Sequence, residues 1–493
     1  MASDQLPGPL AVSAENPRYF IRRSDDPARP RAVYLTGSHI WDNFHDGMGP
    51  GADAPTEPES RDFDAHLDFL AERGHNFIRL WRWEQFKSQA AGGSYHLNMS
   101  PQPWARSGGG AAKDGGPTFD LSEFDAAYFE RLRDRVRRAG ERGMYVSVML
   151  FEGWALHLSP APDNVEGHPF HAANNVNGIG ITSIVDHQVL PLAPAVQALQ
   201  EAYLRQVLDT VHDLPNVLYE VSNESCGGGA VTPEISEALD VPADTDWGDS
   251  TAWQYWVIEF VKRYEHERGY EPRPIGMTMQ FPVPVQSKVN DPLFDGPADW
   301  ISPGYDDEAF NDGGHPAGPG GPPSRWFQDP PPADGRKVVI SDTDHFAPGQ
   351  GDALWAWKTF LRGHHPILMD FGLIDEGTPT ADSPFEPARH AMGDTRRLAE
   401  RVDLISMIPS GDLASTGYVL AVPGREYLVL QPAGNGEPFT ATLGAGTYTA
   451  NWFDVTERAE HAGPDVTVAA DSPVPFAAPP TITGPAVLHL RRA

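Results

Sequence analysis

The chain has 493 residues, with 37 Lys+Arg against 68 Asp+Glu and a formal net charge of −31. That length accommodates one large α/β barrel with a small appendage. The acidic balance argues against a nucleic-acid binder, which needs a basic face, and against electrostatic docking to anionic membranes; it is compatible with a neutral or cationic substrate.

A single cysteine, Cys226, leaves no internal disulfide framework and no Cys-based metal cluster. The opening MASDQLPGPLAVSAENPRYF has neither a basic n-region nor an apolar h-region, and no run of about 18 apolar residues follows. The expectation is a cytoplasmic protein without a membrane span.

Short apolar runs alternate with amphipathic helical segments along the first 400 or so residues. The strand candidates are Ala32–Trp41, Phe77–Trp83, Met144–Trp154, Asn216–Ser225, Pro274–Phe281, Asp299–Tyr305, Lys337–His345 and Pro366–Leu373. Helical patterns fall between most of them, one of which reads as capped by Ser122 and closed by Gly143. Gly/Pro-rich stretches near 87–118 and 313–332 read as long loops. Eight strand–helix units predict a closed (β/α)8 TIM barrel over residues 1–408. No GxGxxG follows the first strand to favour an open dinucleotide-binding sheet. Over 409–493 the period shortens: GYVLAVPG, EYLVLQPA, FTATLGAG, TYTANWFD, VTVAAD and AVLHLRR predict a small all-β sandwich domain. Bracing of the barrel is the role expected of it.

In such a barrel the reacting groups project from the C-terminal ends of the strands. In strand order those ends offer His39, Trp41 and Asn43; Arg79, Trp81 and Trp83; Glu152 and Trp154; Asn223 and Glu224; Gln280; Tyr305; Asp342, Asp344 and His345; and Asp370. Carboxylates, amides and aromatic rings on one rim suit a polyhydroxylated ligand. Two carboxylates opposed across a cavity are what glycosidic hydrolysis requires. Strands four and seven face each other across an eight-stranded ring, which pairs Glu224 with Asp342 or Asp344. The SDTDH cluster also has ligand types suited to a divalent cation, although no HExxH occurs and no HxH stands on the first strand. No GxSxG elbow and no Walker A motif are present.

The segment NVLYEVSNES resembles the strand-four segment of clan A glycoside hydrolases, an apolar strand ending in Asn-Glu. The resemblance implies Glu224 as general acid/base and Asn223 as a ligand of the sugar 2-hydroxyl; Ser225 stands where the clan usually has Pro. GHNFIRLW is similar to the clan's strand-two segment, whose Arg, here Arg79, supports the nucleophile. VVISDTDH is similar to the strand-seven segment of family 10 xylanases, with Asp342 in place of their Glu and Asp344 as the second candidate. Tyr305 falls where the clan often has a tyrosine touching the nucleophile. NPRYFIRR…AVYLTGSHIWDNF and the C-terminal segments resemble apiosidase-like barrels that carry a β domain labelled collagen-binding; nothing in this sequence supports collagen binding.

These resemblances imply a retaining glycosidase, with a pentofuranoside and a hexopyranoside both compatible; the long loops after strands two, three and six are expected to close the pocket, which suggests exo-action on a small glycoside. The expected partner is a carbohydrate substrate, with no nucleic acid, no membrane and no cofactor, and the oligomeric state is open. An inverting enzyme with the same carboxylates, a metal-dependent hydrolase built on SDTDH and a non-catalytic sugar-binding protein are the alternatives.

Overall fold

The computed structural model describes residues 8–51, 60–90, 94–157, 165–229, 248–307, 324–376 and 383–493. Eight parallel strands close into a barrel: β1 (Gly37–His39), β2 (Phe77–Leu80), β3 (Tyr145–Glu152), β4 (Val217–Asn223), β5 (Ile275–Thr278), β6 (Trp300–Ser302), β7 (Val338–Asp342) and β8 (His365–Met369). They follow one another in chain order around the ring, and β8 pairs back onto β1. All eight expected strands are present, each shorter than its apolar run: the C-terminal flanks leave the ladder at the rim, and Ala32–Val33 of the first run joins the N-terminal sheet instead.

Long helices cover the outside: α1 (Phe63–Glu72), α2 (Ala126–Glu141), α3 (Pro194–Val211), α4 (Thr251–Arg268), α5 (Ala353–Leu361) and α6 (Glu386–Ala399). After β5 and β6 the described helices are single short turns, Asp291–Asp295 and Arg325–Gln328. The cap of α2 differs from the expectation. Ser122 lies in a strand, Asp120–Phe124, and Asp125 caps the helix by accepting from the Ala127 N–H at 2.9 Å. Both residues are competent caps, but only Asp125 stands where the extended segment ends. The loop expected near 87–118 carries short strands of its own, Ser88–Ala90, Tyr95–Ser100 and Trp104–Ala105. The second expected loop, 313–332, lies outside the described residues up to position 323.

The barrel interior is layered. At the bottom, Phe77, Tyr145, Leu218, Trp300, Val338, Ile340 and Ile367 form an apolar plug. A three-stranded N-terminal sheet (Leu10–Val12, Phe20–Arg22, Ala32–Val33) closes that end with Leu10, Phe20 and Val33. Gly276 on β5 makes room for the plug, since a Cβ there would stand 2.0 Å from the Trp300 ring. Two residues further up β2 and β4 the interior turns charged, with Arg79 and Glu220. Above them lies the rim.

From Ile408 onward the chain is antiparallel β. Its main sheet is buried on both faces. Leu420, Leu428, Leu430 and Val487 join the barrel core, while the alternating Val419, Ala421, Tyr427, Val429 and Leu488 form a separate core. Trp357 of α5 meets Phe453 at 5.2 Å, and Arg458 grips Asp394 of α6 at 2.8 Å. Strand Ser472–Phe476 escaped the sequence reading because Pro473 and Pro475 cannot donate to a ladder. It lies on a two-stranded sheet with Phe439–Leu443, where those donors are not needed. No described helix is long and apolar enough to cross a membrane.

Candidate active site

β2 and β4 bring the centre together. Arg79 extends inward from β2 and is buried. Its Nε donates to Glu220 Oε2 at 2.9 Å, and its Nη2 to Glu220 Oε1 at 2.6 Å and Asn223 Oδ1 at 2.8 Å. Its Nη1 donates to Asp342 Oδ2 at 2.8 Å and Asp344 Oδ2 at 3.2 Å. All five donors of the guanidinium are thereby engaged. Burial opposes the charge, but Glu220 and Asp342 outweigh it and raise the Arg79 pKa.

The two strand-seven acids stand in different environments. Asp342 ends β7, and its side chain is 1% exposed. Its Oδ1 accepts from His39 Nε2 at 3.0 Å and from the Asp344 backbone N–H at 3.0 Å, and its Oδ2 accepts from Arg79. Burial would raise its pKa, yet His39 and Arg79 hold it below the usual carboxylate range. Asp344 lies in a 3-10 turn, Thr343–His345, rather than on the strand face expected for it. It gives Arg79 one oxygen, and its side chain is 9% exposed. Burial and then the Asp342 charge push it up to about 6.

Glu224 follows β4 directly. Its backbone is in the left-handed region at φ 43°, rare for a residue with a side chain. Its carbonyl accepts from His157 Nε2 at 2.8 Å, and its N–H reaches Thr278 Oγ1 at 3.4 Å. Gly153 permits this turn: a Cβ there would stand 2.6 Å from the Ser225 Cα. A Glu224 carboxylate oxygen lies within 4.8 Å of an Asp344 oxygen. Burial, then Asp344, then Glu152 raise the Glu224 pKa well above its ordinary value. Glu152 pairs with Asn223 across the β3–β4 ladder and is itself raised by burial. Its Oε2 accepts from Ala155 N–H at 2.9 Å.

His345 is fixed as a neutral donor. Asn223 Oδ1 already accepts from Arg79, so His345 Nε2 at 3.1 Å must donate to it, and Nδ1 must accept from Ser302 Oγ at 2.7 Å. Burial lowers its pKa to about 3. Tyr305 is buried beside Glu224, and both burial and that charge raise its phenol. Around this centre runs an aromatic wall. Trp81 stacks on His39 at 5.6 Å, and the partly exposed Trp154 stacks on Trp41 at 6.1 Å. The indole N–H groups of Trp41 and Trp81 and the Nδ1 of His39 are buried without partners.

Four residues expected to bind substrate have polar groups engaged within the protein. Asn43 bridges the β2 backbone, donating to the Arg79 carbonyl at 2.6 Å and accepting from Trp81 N–H at 2.8 Å. Trp83 is fully buried and donates to the Trp41 carbonyl at 2.8 Å. Gln280 donates to the Cys226 carbonyl at 3.1 Å and Ser250 Oγ at 3.0 Å, and accepts from Thr251 Oγ1 at 3.1 Å. Asp370 forms a buried bidentate pair with Arg389 at 2.6 and 2.7 Å. Sequence reasoning missed Glu220, whose signal was an acid inside an apolar strand, two residues above a plug residue.

Three described groups have ligand atoms close enough to hold a metal: His39/Asp342/Asp344, Glu224/Asp344/His345 and Glu84/His168/His187. In the first, Arg79 already bridges the two carboxylates as the cation. In the second, His345 has no free lone pair. In the third, His168 Nδ1 accepts from Phe170 N–H at 2.9 Å. His187 Nδ1 accepts from Gln200 Nε2 at 3.1 Å, an amide whose orientation is fixed by Trp253 donating to its oxygen at 2.9 Å. Both Nε2 atoms are therefore N–H donors to Glu84 Oε2. The donor sets do not fit a metal ion.

No family model and no curated protein matches the sequence. Solved structures do match in fold. A glycoside hydrolase superposes over 100% of this chain and 99% of its own, with a TM-score of 0.57 at 11% identity. A glycoside hydrolase family 5 protein from Bacteroides vulgatus ATCC 8482 covers 100% of this chain and 95% of its own, with a TM-score of 0.56 at 12% identity. At these identities the likeness is one of fold.

Proposed function

We propose that the protein is a retaining glycoside hydrolase in which Glu224 is the general acid/base and Asp344 the nucleophile. The observation that carries this reading is the spacing of their oxygens, within 4.8 Å. Retaining enzymes hold the two carboxyl groups about 5–5.5 Å apart, whereas inverting ones need roughly 6.5–9.5 Å for a water. Burial and the Asp342 charge push Asp344 up to about 6, while burial and then Asp344 raise Glu224 well above its ordinary value. At neutral pH Asp344 is largely ionised, and the rise in the Glu224 pKa favours the protonated form that a general acid needs.

On sequence alone Asp342 ranks ahead of Asp344. Its two oxygens accept from His39, Arg79 and a backbone N–H, which leaves Asp344 the more accessible nucleophile. In the first step Asp344 attacks the anomeric carbon while Glu224 protonates the leaving oxygen. In the second, Glu224 takes a proton from water, which releases the sugar. Asn223, His345 and Tyr305 surround the reacting ring, and Trp154 with Trp41 offers it an apolar face.

The enclosure of both carboxyls supports exo-action on a small glycoside, a pentofuranoside included, as in apiosidase-like barrels. The β unit from residue 409 acts as a brace. The substrate is uncharged where it meets the pair. Arg79 has no donor left for a carboxylate, and the segments outside the described residues contain no Lys or Arg.

A panel of aryl glycosides tests the reading. Wild type turns over at least one of them, and Glu224→Gln and Asp344→Asn each lose roughly 10³-fold or more. Azide restores Asp344→Ala as a glycosyl azide and does not restore Asp342→Ala. Absence of turnover across the panel, with sugar binding retained, would point to a binding protein instead.

A further inference from the structure

Glu220 lies inside the barrel, below the rim and above the apolar plug, and is fully buried. Both its oxygens grip one edge of Arg79, at 2.6 and 2.9 Å, and Ser147 Oγ approaches Oε2 at 3.4 Å. A planar fork held along one edge cannot rotate. Its opposite donors must then point at β7 and at Asn223. We propose that Glu220 is a positioning residue for the Glu224–Asp344 pair: it fixes the plane of the Arg79 guanidinium and takes up charge that would otherwise fall on Asp344. The kinetic arm of this proposal rests on the glycosidase reading; the geometric and ionic arm does not.

The charged and titratable groups around the pair come from nearly every strand. They are His39 from β1, Arg79 from β2, Glu152 from β3, Glu220 and Glu224 at β4, Tyr305 after β6, and Asp342 and His345 at β7. Among the described residues Arg79 is the arginine in contact with the two strand-seven acids. Its charge is divided between Glu220, Asp342 and Asp344. Remove the Glu220 charge and more of the guanidinium's field falls on β7 and β4, where it favours the ionised carboxylates. Asp344 and Glu224 would both release their protons at lower pH.

The experiment is a carboxyl carbon-13 NMR titration of the full chain, with Asp344 assigned from the signal lost in Asp344→Asn. Glu220→Gln is expected to lower the Asp344 midpoint by about one pH unit, a tenfold change in proton affinity. Glu220→Asp keeps the charge but withdraws it by one methylene, and is expected to fall between Glu220→Gln and wild type; it also serves if the amide variant does not fold. With a substrate in hand, the acid limb of kcat/KM moves by the same amount, which a merely structural role would not do. A midpoint unchanged within about 0.3 unit in Glu220→Gln, or in Glu220→Asp where the amide variant does not fold, overturns the proposal, whatever happens to activity. A wild type that turns over no glycoside ends the glycosidase reading, and the titration still decides the role of Glu220.

Discussion

Arg79 and Arg82 stand three residues apart at the end of β2, both buried, and each serves a cluster of acids and histidines. In the Arg82 cluster Glu84 is saturated. Its Oε1 accepts from Glu152 N–H at 2.9 Å, and its Oε2 from His168 at 3.3 Å and His187 at 3.0 Å, with Arg82 at 3.4 Å. The void beside it is only about 10 Å³, too little for more than one water. Burial opposes the Glu84 charge, but Arg82 and His187 hold its pKa low. In the Arg79 cluster the arginine is saturated while its surroundings are not. Asp344 keeps an oxygen free of Arg79, burial and the Asp344 charge raise the Glu224 pKa, and His39, Trp41 and Trp81 keep unpartnered polar atoms. The same residue types build a fastening in one place and a receptive site in the other; the acid separates them, since Glu84 has both oxygens engaged while Asp344 gives only one to its arginine.

Removing Glu84 should sharpen the contrast most. Glu84→Ala leaves Arg82 without its counter-charge and two imidazoles without their acceptor, and is expected to cost about 3–5 kcal/mol in denaturant unfolding. Glu224→Gln should do the reverse, silencing turnover without lowering stability, because the amide removes a buried group that burial and neighbouring acids hold from ionising. A Glu84→Ala protein as stable as wild type would erase the distinction.

The next effect is in pH. Glu152 keeps its proton in the folded protein above its unfolded midpoint of about 4.3. The folded state therefore binds more protons, and this group's contribution is complete below that midpoint and declines as pH rises. Glu152→Gln removes the decline. Its melting temperature should match wild type near pH 4 and exceed it at pH 8, read by calorimetry; a larger advantage at pH 4 would reverse the sign and contradict the account.

A smaller effect concerns ligand charge. Matched neutral glycosides and their uronates, compared by tryptophan fluorescence titration, should differ by about tenfold or more in favour of the neutral member. Equal affinity would mean that Arg79 still has a donor to offer. Smallest of all, Arg137→Ala, which removes an exposed helical pair with Asp134 and Glu141, should leave both melting and activity unchanged.

Much of this molecule was legible in the sequence, because apolar runs of strand length separated by helical periods are a direct imprint of a barrel. The SNES and SDTDH segments were legible as well, since acids ending buried strands are costly unless they serve something. The ranking within SDTDH was not. Asp342 and Asp344 are alike in sequence, and only the 3-10 turn after β7 makes one an anchor and the other accessible. Nor could the sequence show that Gln280 and Asp370 are engaged within the protein. Their partners, Cys226 and Arg389, are 54 and 19 positions away. Spacing along a chain carries no trace of such contacts.

The central claim is that Glu224 and Asp344 are the reacting pair. The most direct measurement is peptide mapping by mass spectrometry after trapping wild type with a fluorinated mechanism-based glycoside chosen from whichever sugar is turned over. The account predicts one sugar on the peptide spanning SDTDH, located at Asp344 and absent in Asp344→Asn. A label on Asp342, or on an acid of another strand, would contradict it.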